Sequence, residues 1–261
     1  IPSIDNPKFI SVEDADEVLS DNSRGLGISY NGVNKFYPFR VLVWHEIVND
    51  NFGDKPILVT YCPLCATAIA FEREVNGQEI EFGVSGQLWQ SNLLMYDRQP
   101  NNENESLWSQ ILGQAVVGPN SGETLEVIRS HIVDYSDWKQ SNPDTIVLSE
   151  DTGISRRYGQ DPYEGYYTDS TVGFGASFDD ERLHPKDLIL GVEINGNYKA
   201  YHLVNMPRDS KLNDDFSDTE IVISKSEFDE VVITTTDGEE VAYIASFWFS
   251  WLAVHPDTEL F

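Results

Sequence analysis

Cysteine is nearly absent from this chain: Cys62 and Cys65 are the only two in 261 residues. Two cysteines cannot build a disulfide framework. A bridge between them would close a tiny loop and restrict the unfolded chain little, so stapling is a poor reason for the pair. Basic residues are scarce too, with 17 Lys and Arg against 44 Asp and Glu and a formal net charge of −27. A field of that sign repels phosphate backbones and argues against nucleic acid as a partner. No apolar run reaches the roughly 18 residues a membrane-spanning helix needs. Acidic turns such as Asn213-Asp214-Asp215 and Asp237-Gly238-Glu239-Glu240 lack the twelve-residue calcium-loop pattern. No signal-like apolar segment opens the chain, and Ile1-Pro2 is not a translation start. A removed signal peptide or anchor fits that beginning, as does trimming.

What is present points to a folded, mainly β protein. Hydrophobic residues make up 40% of the chain and aromatics 12%, a globular composition. Asn31-Gly32 and Asn76-Gly77 stand between alternating or β-branched runs and predict tight hairpins, because both residue types tolerate positive φ. Short helices are expected over about 12–19, after the capping-box-like Ser11-Val12-Glu13-Asp14, and over 41–48, where Val41, Trp44, His45 and Val48 share a helical face.

At residue 190 the chain starts again. Leu26-Gly27-Ile28, Asn31-Gly32, Lys35 and Tyr37 recur as Leu190-Gly191-Val192, Asn195-Gly196, Lys199 and Tyr201. At the same offset, Asn49-Asp50-Asn51-Phe52 recurs as Asn213-Asp214-Asp215-Phe216. Trp138 with Pro143-Asp144-Thr145 is echoed by Trp251 with Pro256-Asp257-Thr258. Such self-similarity predicts two pseudo-repeated β-rich units packed as one compact α+β protein. The first unit is expected over 1–148 with an insertion at about 85–135, followed by a connector over 149–187. A second, degenerate unit is expected over 188–261.

The repeat acts as an internal control. Residues shared by both copies serve the fold, whereas residues found in one copy are candidates for chemistry. His45, Cys62 and Cys65 fall opposite Asp209, Ser226 and Asp229. Two thiolates and an imidazole make three ligands of a mononuclear metal site, with Met95, His131, a water or a substrate as the fourth. Copper is preferred narrowly over zinc. An open position would make the protein a metal-dependent oxidoreductase acting on a small-molecule substrate, and a closed one a metal carrier or electron-transfer protein. The rival readings are a thiol–disulfide pair serving a redox partner and two inert cysteines in an interaction module. Glu46 is a second-sphere partner or base for His45, against the plainer reading of a solvent-facing carboxylate. Trp44 and Trp108 line a pocket or simply fill the core.

His45-Glu46-Ile47-Val48-Asn49-Asp50, Tyr61-Cys62-Pro63-Leu64-Cys65, Gly83-Val84-Ser85-Gly86, Ser91-Asn92-Leu93-Leu94-Met95-Tyr96-Asp97-Arg98 and Leu107-Trp108-Ser109-Gln110 occur in order. In this set the chain resembles the DUF3179 family of bacterial and archaeal proteins, over nearly its whole length. The resemblance implies an exported protein and names no reaction. Ala66 departs from the glycine that many relatives carry after the second cysteine.

Overall fold

The computed structural model describes residues 1–176 and 178–261. It is mainly β with four short helices. The repeated residues build one constellation twice. Arg24–Tyr30 pairs antiparallel with Val33–Pro38 across Asn31-Gly32, and Leu188–Ile194 pairs with Asn197–Tyr201 across Asn195-Gly196. Asn31 and Gly32 have φ of 50° and 76°, and Asn195 and Gly196 have 53° and 76°. Both turns therefore use the positive φ that the Asn-Gly pair tolerates. Gly27 lies against the Trp138 ring and Gly191 against the Trp251 ring; a Cβ would meet them at 2.3 and 2.5 Å. Each indole N–H donates to a threonine, Trp138 to Thr145 at 2.8 Å and Trp251 to Thr258 at 3.0 Å. After each such turn a short strand returns parallel to the hairpin, Ile146–Leu148 beside Val33–Pro38 and Glu259–Leu260 beside Asn197–Tyr201.

The charged residues of the repeat are equally matched. Lys35 Nζ donates to Asp50 at 2.7 Å and Tyr37 Oη to the same carboxylate at 2.5 Å. In the second copy Lys199 reaches Asp214 at 2.6 Å and Tyr201 donates to it at 2.7 Å. Lys35 is also enclosed between the Phe9 and Phe52 rings.

Two further sheets position the cysteines. In one, Ile47–Phe52, Lys55–Cys62, Thr67–Glu72 and Val127–Ile128 lie side by side in that order. In the other, the expected insertion strands run Phe82–Trp89, Asn92–Asp97, Leu107–Ser109 and Gln114–Val117. The Asn76-Gly77 hairpin is smaller than the pattern predicts, pairing only Glu74–Val75 with Gln78–Glu79. Thr67–Glu72 instead pairs with Lys55–Cys62, because its buried apolar side chains belong in that sheet. Among the described residues of 149–187 there is no strand or helix.

Candidate functional site

Cys62 closes the Lys55–Cys62 strand, and the chain reverses within three residues. Cys65 N–H donates to the Cys62 carbonyl at 3.2 Å, and Pro63 fixes φ within the bend. Cys62 then faces Thr67 across the antiparallel pair. The Cys-Pro-Leu-Cys segment is thus the tip of a hairpin whose strands are buried. Ala66 completes the reversal with φ of 49°, a conformation that a side chain disfavours and glycine accepts. Glycine at this point would carry no such cost. Ala66→Gly is expected to stabilise the fold by about 0.5–1 kcal/mol, read as a higher urea midpoint. An unchanged or lower midpoint would show that the left-handed residue carries no strain.

The second hairpin closes on the first from the insertion sheet. Phe82–Trp89 turns into Asn92–Asp97 through Gln90 and Ser91, at φ of 52° and 64°. Neither is Asn or Gly, the usual occupants of such a turn. The Ser91 carbonyl accepts from both thiols, Cys65 Sγ at 3.2 Å and Cys62 Sγ at 3.8 Å. Ser91 Oγ donates to the carbonyl of Gly173 in the connector. A buried amide network holds the two hairpins together. Asn92 Nδ2 donates to Gln110 Oε1 at 2.8 Å, Thr67 Oγ1 to the same oxygen at 2.6 Å, and Gln110 Nε2 to Thr60 Oγ1 at 3.0 Å.

Both cysteines are free and buried. Their environments push them apart. Burial opposes ionisation of Cys65, but the neighbouring Cys62 thiol and the polar side chains of Ser250 and Asn92 outweigh it and hold the thiol below its ordinary range. Cys62 is driven well above that range by burial, by Cys65 and by the charge of Glu46. Cys65 is therefore the readier of the two to ionise; on doing so it gives up its bond to the Ser91 carbonyl, and the Cys62 thiol hydrogen can turn to it.

Glu46 is not the solvent-facing carboxylate expected from its type. It caps the Phe39–His45 helix in a left-handed conformation, φ 60°, and is only 7% exposed. Burial raises its pKa to about 7. The connector packs on the cysteine hairpin: Tyr166 Oη donates to the Leu64 carbonyl at 3.0 Å, and Lys186 Nζ donates to the Tyr166 carbonyl at 2.5 Å. The second half contributes the Phe247 N–H, which donates to the Cys65 carbonyl at 2.8 Å.

His45 does not turn its ring toward the cysteines. Nδ1 meets the Pro2 carbonyl at 2.8 Å and Nε2 meets Tyr158 Oη at 2.8 Å. Both ring nitrogens are thus engaged by other partners here. His131 bonds Tyr243 Oη at 3.2 Å, and burial lowers its pKa to about 4. Met95 and Trp108 are core residues in adjacent strands, and Trp108 Nε1 donates to Asp97 at 3.0 Å. Trp44 packs against the first core cluster, and its buried Nε1 finds no partner among the described residues. No group of three or more His, Cys, Asp or Glu is arranged to hold a metal ion among the described residues. The residues that do surround the sulfurs, Ser91, Asn92 and Ser250, are of types that carry no chemical signature in sequence. Two of them, Ser91 and Asn92, lie in the ordered segments that mark the family resemblance.

The model of the family described as "Protein of unknown function (DUF3179)" matches residues 1–258, and the chain belongs to that family. No curated protein and no solved structure matches it.

Proposed function

We propose that this DUF3179 protein is a thiol–disulfide redox protein whose working pair is Cys62 and Cys65. The observation that carries the reading is the convergence of both buried thiols on the single Ser91 carbonyl, with Cys65 the readier of the two to ionise. The thiolate is the nucleophile of disulfide exchange. In the proposed reaction, Cys65 Sγ attacks one sulfur of a partner disulfide, and the first partner thiolate leaves. Cys62 then loses its proton to a base, for which the buried Glu46, whose charge acts on Cys62, is the candidate, and attacks Cys65 Sγ, and the second partner thiolate leaves. One disulfide forms as one is reduced, so the electrons balance. Exchange is reversible, and the same atoms would run it in the other direction. The connector over the sulfurs must be displaced for a partner to enter. Export belongs to the proposal, since oxidising compartments are where such pairs persist.

The test is equilibration in buffers of reduced and oxidised dithiothreitol, followed by maleimide trapping and intact mass. A reversible change of two thiols between free and bridged at a defined ratio is expected, with near-UV circular dichroism unchanged. Two thiols that stay free at the most oxidising ratio in folded protein would defeat the reading.

A second reading is favoured by the same convergence. Two thiolates alone suit copper(I), which needs no third ligand from His45. Elemental analysis of protein purified without added metal separates the two. Near-stoichiometric copper or zinc, lost in Cys62→Ser/Cys65→Ser, would favour the metal.

A further inference from the structure

One residue on either side of the cysteine hairpin, Tyr61 and Ala66, the chain lines a cavity of about 420 Å³. That size falls in the range of small-molecule sites. Its walls are aromatic. Phe39 and Tyr61 are stacked at 4.3 Å between centroids and 11° between planes, and Tyr158 and Tyr167 line it with them. Tyr158 is held in place by His45 and by Thr152, which meets its hydroxyl at 2.7 Å. His45 thus serves this wall.

The cavity is also cationic in a chain that is strongly anionic. Arg24 and Arg40 both border it, in a protein with only 17 basic residues against 44 acidic ones. Among the described residues Arg24 has a single weak ion pair, with Asp134 at 3.9 Å. Arg40 pairs with Glu150 at 2.8 Å and donates to the Val18 carbonyl. Its Nε–H is buried with no acceptor among the described residues. The one acid at the wall, Asp161, is already occupied by Tyr167 Oη at 3.0 Å and the Tyr163 N–H at 2.8 Å.

We infer that this cavity is a binding site for a planar aromatic carboxylate. The ring lies among Phe39, Tyr61, Tyr158 and Tyr167, where flat apolar surface is offered. The carboxylate meets Arg24 and the Arg40 guanidinium, whose Nη2 lies beside the lining residue Gly159, since guanidinium groups match carboxylate geometry. The inference stands on the cavity and its donors, whatever the two cysteines do.

The probes are 2-naphthoate and its neutral isostere 2-naphthamide, titrated calorimetrically into the whole chain. Saturable one-to-one binding of 2-naphthoate is expected, with 2-naphthamide at least about tenfold weaker. Arg24→Gln is expected to remove most of that difference by weakening 2-naphthoate alone. Gly159→Leu is expected to abolish binding of both. Gly159 lines the cavity, and a Cβ there meets only Arg40 Nη2 at an ordinary 3.7 Å, so the backbone tolerates it. Leu188→Trp blocks the cavity from another wall, and circular dichroism confirms that each variant is folded. No saturable binding to the parent, equal affinity for acid and amide, or undiminished binding in both blocked variants would each overturn the inference.

Discussion

Asp50→Ala is expected to destabilise the protein by about 3–5 kcal/mol. That is a large share of the 5–15 kcal/mol that holds a typical domain together. The substitution leaves the Lys35 ammonium buried between two phenyl rings, with only the Asn51 carbonyl at 2.9 Å as acceptor. It also strands the Tyr37 hydroxyl, which is fully buried. The loss comes mainly from the abandoned charge, not from the worth of the pair. Lys35→Met/Asp50→Leu should therefore recover most of it. The second copy provides the comparison. Lys199 and Asp214 repeat the contact at slightly greater exposure, 10% and 12% against 7% and 7%, so Asp214→Ala should cost less than Asp50→Ala. Burial acts to raise the pKa of Asp214, but Lys199 and Tyr201 outweigh it and leave the carboxyl lowered. A lowered carboxylate adds stability that is complete above its unfolded value and is lost as pH falls through the folded one. Urea midpoints of the four proteins at pH 7 test the order. A double variant as unstable as Asp50→Ala would refute the stranded-charge account.

The repeat shows how much of this architecture is legible in sequence. Lys35, Tyr37 and Asp50 recur at fixed offset because the fold needs an ammonium, a hydroxyl and a carboxylate to meet at one buried point. The Asn-Gly turns are legible for a similar local reason: their backbone angles select the residue types. The site is less legible because its partners come from distant segments. His45 and Cys62 lie on a helix and a strand separated by a hairpin, and helical spacing gives a face without saying what it meets. The structure gives that face Pro2 and Tyr158, from either side of the chain. The acceptor shared by the sulfurs is the Ser91 backbone carbonyl, which every residue type supplies. What sequence does show there is a Gln-Ser pair forced into a turn that prefers Asn-Gly, a strain of about 1–3 kcal/mol per residue that persists only where the surroundings impose it. The burial of Glu46 follows from the left-handed end of its helix, and acidic type alone argues against it.

Glu46→Gln is expected to separate stability from activity. Burial holds Glu46 at about 7 against an ordinary 4.5. A carboxyl raised in the folded state stabilises most when the unfolded chain is also protonated. That contribution is complete below about pH 4.5 and lost as pH rises toward 7. At about 1.4 kcal/mol per pKa unit the loss approaches about 3 kcal/mol by pH 8. Glutamine keeps the shape and cannot ionise. The variant should match the parent near pH 4 and exceed its stability by up to about 3 kcal/mol at pH 8. The proposed redox chemistry moves the opposite way. With no carboxylate to take the Cys62 proton, resolution of the mixed disulfide at pH 7 should slow by about 10²-fold. The parent rate should rise through pH 7 as Glu46 ionises, and the variant should lack that step. Paired urea melts and stopped-flow oxidation across pH 4–9 read both effects. A stability gain without a slower reaction would leave Glu46 a buried acid and remove it from the proposed chemistry. A slower reaction without the gain would mean that its pKa is not raised, and the proton acceptor would have to be sought elsewhere around Cys62.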